Sequence, residues 1–166
     1  RADIVHEAFL NRLAAADFPA AGETVSLQDA GLSREALAGI FRAQVLSRQL
    51  DRISRKLQAR GQGFYTIGSS GHEGNAAIAA ALRPSDPAFL HYRDAAFQIA
   101  RARQVPGQTP LWDMLLSFTS SCEDPISGGR HKVLGSKALN IPPQTSTIAS
   151  HLPKAVDAGK QVIAAF

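Results

Sequence analysis

The sequence is poor in several residue types, and each shortage excludes a class of protein. A single cysteine, Cys122, rules out any disulfide within the chain. Aromatic residues make up only 7% of the sequence, whereas 28 residues are alanine, which favours closely packed helices over a sandwich of aromatic strands. No apolar run approaches the roughly 18 residues that a membrane-spanning helix requires. We therefore expect a soluble, helix-rich protein.

The motifs of several enzyme classes are also missing. His72 and Glu73 do not begin the zinc-protease motif H-E-x-x-H, because its last position is occupied by Ala76. The glycine-rich segment 61–74 contains no Walker loop, and no nucleophile elbow surrounds any serine. The histidines show no metal-ligand spacing; they are His6, His72, His91, His131 and His151. The residue pattern alone therefore contains no complete catalytic set.

The charge balance is mildly basic and leaves two interpretations open. Lys and Arg number 18 against 14 Asp and Glu, which gives a net charge of +4. This is compatible with an ordinary cytoplasmic protein or with one that binds an anion such as phosphate. Nucleic acid is disfavoured because the basic residues are not interleaved with aromatics. Asp3 and Glu7 make the beginning of the sequence unlike a signal or transit peptide, so we expect a cytoplasmic location.

Hydrophobic periodicity predicts a series of helices. Ile4, Val5, Phe9 and Leu13 fall on one face of an amphipathic helix, and Ser33 is suited to cap a long helix that ends near Ala59. Four further segments have helical patterns: 75–82, 94–103, 111–118 and 147–166. Residues 119–146 have no clear period, and a loop of this length in a compact protein is usually functional.

The run 88–92 predicts a short buried strand, because it is apolar and is followed at once by Arg93 and Asp94. With the helices, it indicates a helix-rich α/β fold with short buried parallel strands. We expect an N-terminal helix and loop over 1–32 and a second domain over 33–166.

The end of this predicted strand is a candidate anion site. Open α/β sheets bind ligands where strands end, and arginine can form two hydrogen bonds with a phosphate. Arg93 and Tyr92 would supply the donors, although Arg93 could instead pair with Asp94 or another surface acid. The glycines of segment 68–74 could form an anion-binding nest or simply a tight turn that starts the next helix.

Six segments together resemble the alpha chain of thiamine-diphosphate-dependent 2-oxoacid dehydrogenases, or the alpha half of a fused chain. They are 61–65, 71–74, 82–86, 91–94, 128–132 and 146–156. The Gly-Gly-Arg-His-Lys segment is most similar to bacterial members in which the two halves are fused, and branched-chain 2-oxoacids are the nearest substrate group. The resemblance implies the N-terminal portion of a thiamine-diphosphate-binding domain.

The resemblance also implies roles for particular residues. Tyr92 and Arg93 would contact the cofactor diphosphate, and His91, where the family often has glutamine, would also reach the cofactor. Ser146 and Ile148 would line the aminopyrimidine end. The loop that carries Arg130 and His131 would lie toward the active-site entrance, within reach of substrate or a partner.

Other parts of such an enzyme are expected outside this sequence. The family's Gly-Asp-Gly motif, which binds the magnesium ion, would follow the helix that begins near Ser150, and the catalytic residues belong to a beta chain or beta half. The implied partners are that beta half and a lipoyl-bearing acyltransferase, in an oligomeric multienzyme complex. A non-catalytic interaction module, derived from a shortened relative, is the alternative.

Overall fold

The structure, a computed structural model, describes residues 2–20, 22, 24–64, 67–144 and 146–164. The chain divides into two compact units, Arg1–Arg34 and Glu35–Phe166. Within the part of the chain that is described, no helix is both long and apolar enough to cross a membrane.

The first unit contains helix α1, Ala2–Ala14, which confirms that the start of the sequence is helical, although its predicted apolar face, with Ile4 and Phe9, is exposed. Asp3 lies in the first turn and Arg12 in the last. Each charge is opposite in sign to the nearer end of the helix dipole, which stabilises the helix. Arg12 also forms an ion pair with Asp17, which follows the helix, with 3.2 Å between Nε and Oδ2. Both side chains are exposed, so this ion pair adds little stability.

Five more helices account for most of the second unit. They are α2, Arg34–Ala59; α3, Asn75–Ala81; α4, Ala95–Ala102; α5, Pro110–Phe118; and α6, His151–Ala164. All five were predicted, with ends that differ by up to four residues; the last two positions of the predicted range 147–166 lie outside the described residues. Proline begins α5, where its missing N–H costs no helical hydrogen bond.

The predicted α/β fold with short parallel strands is wrong. The described residues contain no strand, and their one β-type pairing is an isolated antiparallel bridge between Ser136 and Ile141. In segment 88–92, Ala88 and Leu90 are buried, as alternate residues of a strand would be. No other described segment pairs with it as a strand, and the Ala88 N–H donates to the carbonyl of Asn140 at 3.0 Å. The protein is therefore helical.

The core forms where α3 packs against α4. Ala76 and Ala79 of α3 and Ala96 of α4 are completely buried, and these small side chains let the two helices approach closely. Gln104, just beyond α4, donates from its amide to the carbonyl of Ala79 at 2.9 Å. Alanine at these positions thus allows α3 and α4 to pack closely.

Segment 119–150 has no helix among its described residues, and side chains attach it to the helices. Arg101 of α4 is fully buried and donates to the carbonyls of Asp86, at 2.7 Å, and Leu139, at 3.1 Å. Gln98 donates to the carbonyl of Gly135 at 3.2 Å. The long segment is therefore held in a defined position despite its lack of regular structure.

One glycine is required for this segment to fold back on itself. Gly129 has φ +76°, and a side chain there would collide with the backbone carbonyl of Ser120. Only glycine adopts this conformation without strain and without that collision. It precedes Arg130 and His131, so it fixes where the predicted entrance loop begins.

Candidate functional site

Asp94 is the centre of a hydrogen-bond network that joins the turn before α4 to the start of α3. It is 7% exposed. One carboxylate oxygen accepts from the His91 N–H at 2.8 Å, and the other contacts His72 Nδ1 at 2.7 Å and accepts from the Asn75 amide at 2.8 Å. An ionised carboxylate only accepts hydrogen bonds, so this contact suits the tautomer of His72 in which Nδ1 carries the hydrogen. Asp94 therefore fixes both the turn and the orientation of the His72 ring.

The His91 ring lies among three other rings. It stacks on His72 with 5.1 Å between centroids, lies 3.8 Å from the Tyr92 ring and meets the edge of His151 at 5.9 Å. His151 is the first residue of α6, so the contact brings the start of that helix to the turn that carries His91. We call His72, His91, Tyr92, Arg93 and His151, together with Lys132 described below, the cationic cluster.

The pKa of His91 is lowered by its surroundings. Burial is the main cause, because an imidazolium loses hydration in the cluster. The charge of Asp94 acts in the opposite direction, whereas His72, His151 and Arg93 lower the pKa further. His91 therefore favours its neutral form, and this limits the repulsion among neighbouring cations.

Arg93 connects the turn to the glycine-rich segment 68–74. One of its Nη atoms donates to the carbonyl of Gly68 at 2.6 Å, and its guanidinium carbon lies 5.4 Å from the centre of the Tyr92 ring. No ion pair of Arg93 occurs among the described residues. The sequence left pairing with Asp94 open, but Asp94 bonds to His72, His91 and Asn75 instead.

The glycine-rich segment forms a turn occupied by the protein's own carboxylates. Asp51 of α2 accepts from the N–H of Ser69 at 2.8 Å and from its hydroxyl at 3.0 Å. Glu73 accepts from the N–H of Gly71 at 2.8 Å and lies 3.2 Å from Arg48. Because carboxylates already bind these N–H groups, the turn interpretation is favoured over an anion nest.

Lys132 was missed by the sequence reasoning, which selected the two residues before it. Its Nζ donates to the carbonyl of Tyr92 at 3.5 Å and lies 5.0 Å from the centre of the Phe118 ring. Burial lowers the pKa of Lys132 to about 8, although the charge of Asp51 raises it and that of Arg93 lowers it further. The structure thus places a second cation beside Arg93.

No family model matches this sequence. No solved structure matches it significantly either.

The remaining predicted site residues come from two other segments of the chain, 128–132 and 146–156, and their contacts differ. The Ser146 hydroxyl is 3.1 Å from His131 Nε2, so two residues predicted from separate motifs meet in one hydrogen bond. Ile148 is 76% exposed, far more than a core residue would be. Arg130 donates to the carbonyl of Ser127 at 3.2 Å within its own loop.

A metal site is not formed by the cluster itself. Among the described residues, no group of three or more His, Cys, Asp or Glu side chains is arranged to hold a metal ion. The histidines of the cluster contact one another through their ring faces and edges, and His72 is already bonded to Asp94. The cluster can instead supply guanidinium, ammonium and imidazole donors to an anionic ligand.

Proposed function

We propose that this chain forms part of the diphosphate-binding site of a thiamine-diphosphate-dependent 2-oxoacid dehydrogenase, as its alpha chain or alpha half. The observation that supports it best is the convergence of Arg93 and Lys132 on Tyr92. The guanidinium carbon of Arg93 is 5.4 Å from the Tyr92 ring, and the Lys132 amine donates to the Tyr92 carbonyl. The sequence motif that implies diphosphate binding thus coincides with two cations.

The residues present fit the diphosphate end of this cofactor. Arginine has five N–H donors, and the bond to Gly68 uses one of them, so donors remain for phosphate oxygens. The nearby carboxylate of Asp94 is occupied by three hydrogen-bond contacts, which reduces its repulsion of an anion. The exposed side chain of Ile148 can pack against an aromatic ring. The fit supports a role in binding.

Each residue would have a distinct task. Arg93 would bind phosphate oxygens through paired N–H groups, and Lys132 would add a point charge next to it. His91 would hold the Tyr92 ring in place through their contact at 3.8 Å. When bound, thiamine diphosphate supplies the carbon nucleophile and the electron sink needed to decarboxylate a 2-oxoacid.

The complete enzyme in this proposal has further parts. Magnesium ligands lie outside this sequence, and a beta chain or beta half provides the catalytic residues. Branched-chain 2-oxoacids are the proposed substrates, and the acyl group passes to a lipoyl-bearing acyltransferase within an oligomeric complex. The proposed location is the bacterial cytoplasm.

Reconstitution tests this function. The chain is mixed with the beta half of a branched-chain 2-oxoacid dehydrogenase, thiamine diphosphate and magnesium, and carbon dioxide release is measured from several 2-oxoacids. Loss of a charged hydrogen bond costs about 1.5–3 kcal/mol, so Arg93→Ala should raise the cofactor concentration for half-maximal activity by roughly 10- to 100-fold.

Arg83→Ala is the matched control, because Arg83 is highly exposed and pairs locally with Asp86. This variant should keep the cofactor requirement of the unmodified chain. Equal requirements for the unmodified chain and Arg93→Ala would contradict the diphosphate-binding role.

A further inference from the structure

An open cavity of about 400 Å³ lies in segment 119–150, and the residues that line it have no part in the proposed function. Cavities that bind small molecules have volumes of about 300–1,000 Å³. We propose that this cavity binds a small monocarboxylate with an apolar body, and that its carboxylate pairs with Lys137. Such a site is independent of the cationic cluster and of thiamine diphosphate.

The walls of the cavity are mainly apolar and stiff. Three prolines and two isoleucines line it; they are Pro125, Ile126, Ile141, Pro142 and Pro143. Proline has a fixed φ angle and isoleucine has few rotamers, so these walls lose little conformational freedom when a ligand binds. Ile141 is 1% exposed, so this side of the cavity is continuous with the core. The cavity thus offers a stiff surface to the apolar part of a ligand.

Hydrogen bonds hold one side of the cavity to another part of the chain. Ser136 and Ile141 exchange two backbone hydrogen bonds of 2.9 Å each. The Asn140 amide donates to the carbonyl of Ser85 at 2.7 Å, and the Asn140 carbonyl accepts from the N–H of Ala88 at 3.0 Å. Because Ser136, Asn140 and Ile141 all line the cavity, these bonds keep its shape before a ligand binds.

Asp124 fixes the side of the cavity that carries Pro125 and Ile126. It is 5% exposed, and its carboxylate accepts from the Ile126 N–H at 3.1 Å and from the Ser127 hydroxyl at 2.6 Å. Its negative charge is therefore engaged within its own turn. In the part of the chain that the structure describes, no carboxylate forms an ion pair with Lys137.

Two polar side chains of the cavity can bind a carboxylate. Lys137 lines the cavity and is exposed, so its long side chain is free to turn toward a ligand. The Ser136 hydroxyl accepts from the Leu139 N–H at 3.3 Å, and its own hydrogen remains for an acceptor. A carboxylate accepts hydrogen bonds from both kinds of group. Because the remaining walls are mainly apolar, a single carboxylate on an apolar body is the matching chemistry.

3-Phenylpropionate is a suitable probe, since it joins one carboxylate to a small apolar ring. The full chain, labelled with nitrogen-15, is titrated with it, and the amide chemical shifts are followed by nuclear magnetic resonance. A ligand of about 11 non-hydrogen atoms with the usual affinity per atom has a Kd of roughly 1 mM. We expect shifts at the amides of Ile126, Ser136, Lys137 and Ile141, and none at 91–94.

3-Phenylpropanamide has the same size without the charge and tests the role of Lys137. It should bind about threefold more weakly than the carboxylate, because an exposed ion pair contributes little. Lys137→Gln should weaken binding of the carboxylate about threefold and leave binding of the amide unchanged. Lys56→Gln is the matched control, since Lys56 is exposed on α2 and does not line the cavity. It should bind both probes as the unmodified chain does.

Hydrogen–deuterium exchange provides a second measurement. A ligand that binds only the closed cavity slows exchange through its opening, by about tenfold at a concentration of ten times Kd. We expect this protection at residues 136–141 and none in α1. Under the same conditions, the neutral amide should protect these residues less than the carboxylate does.

Three results would overturn the proposal. One is the absence of shifts and of protection at the cavity with about 10 mM 3-phenylpropionate. Another is an equal Kd for the carboxylate and the amide, which would make this a site for neutral apolar ligands. The third is shifts at 91–94 that Arg93→Gln abolishes, which would place the carboxylate in the cationic cluster. None of these results bears on reconstituted decarboxylation, so the two proposals fail separately.

Discussion

Asp94 is the residue on which the geometry of the cationic cluster depends most. Replacing it with alanine removes the acceptor for His72, Asn75 and the His91 N–H. Leaving partly buried donors without an acceptor should lower the free energy of unfolding by about 2–3 kcal/mol. Urea denaturation measures this change.

Asp113→Ala provides the comparison for Asp94→Ala. Asp113 accepts an exposed hydrogen bond from Thr109, so its removal should change the free energy of unfolding by no more than about 0.5 kcal/mol. Similar losses for the two variants would mean that the Asp94 network does not stabilise the fold.

Lys132 should make stability depend on alkaline pH. The pKa of Lys132 is about 8 in the folded protein and 10.5 for an ordinary lysine, so between these values the unfolded chain binds more protons than the folded one. The free energy of unfolding should therefore rise with pH in this range, with a slope from this group of at most about 1.4 kcal/mol per pH unit. The cost of burying the charged amine is fully present below pH 8.

Lys132→Met isolates this contribution, because methionine fills a similar space without a charge. We expect the variant to be more stable than the unmodified chain at pH 7 and the difference to shrink as the pH approaches 10.5. Urea denaturation at a series of pH values measures the difference. A constant difference across the series would show that Lys132 does not titrate as described.

The sequence identified Tyr92, Arg93 and His91 but not the lysine that lies beside them. The first three are adjacent in the chain, so a local motif brings them together. Lys132 reaches Tyr92 only because segment 119–150 is attached to the helices, and its low pKa results mainly from burial in that position. The one available signal was its place directly after Arg130 and His131, and nothing in that string distinguishes a buried lysine from an exposed one.

Among the secondary-structure elements, the contact between α3 and α4 is the place to test how tightly the core is packed. Ala79 is completely buried there, and leucine at this position would force the two helices apart. Overpacking of this kind costs about 1–3 kcal/mol in free energy of unfolding, measurable by urea denaturation.

The neighbouring Ala80 is exposed and belongs to the same helix, so Ala80→Leu is the matched variant for Ala79→Leu. It should change the free energy of unfolding by about 0.5 kcal/mol or less. If both leucines were tolerated equally, the packing of α3 on α4 would be looser than the structure has it.

The helices could be predicted from the sequence, whereas segment 88–92, predicted as a strand, is not one. The difference has a physical reason. A helix forms its hydrogen bonds within one segment, so periodicity and caps such as Ser33 are enough to predict it. A strand must pair with a second segment of the chain. Ala88 and Leu90 are buried in the alternating pattern of a strand, but this pattern does not show whether a pairing segment exists. The carbonyl of Asn140 supplies a single bond where a sheet would supply a ladder.

For the molecule as a whole, the proposed cofactor site is only partly contained in this chain. The cationic cluster offers Arg93 and Lys132, but the magnesium ligands and the opposite wall of the site are expected elsewhere. The isolated chain should therefore bind thiamine diphosphate with magnesium weakly, with a Kd above roughly 100 μM. Calorimetric titration measures this, and tight binding by the chain alone would contradict a shared site.

Segment 119–150 is attached by side chains, and this determines which measurement can detect its detachment. Far-ultraviolet ellipticity reports helices, yet this segment has none among its described residues and still carries Lys132 and Ser146. Arg101→Met removes the hydrogen bond from α4 to the carbonyl of Leu139 and should release the segment, while α2 to α6 keep their spectrum. Trypsin cleavage after Arg130 or hydrogen–deuterium exchange would reveal a release that a dichroism melt does not register.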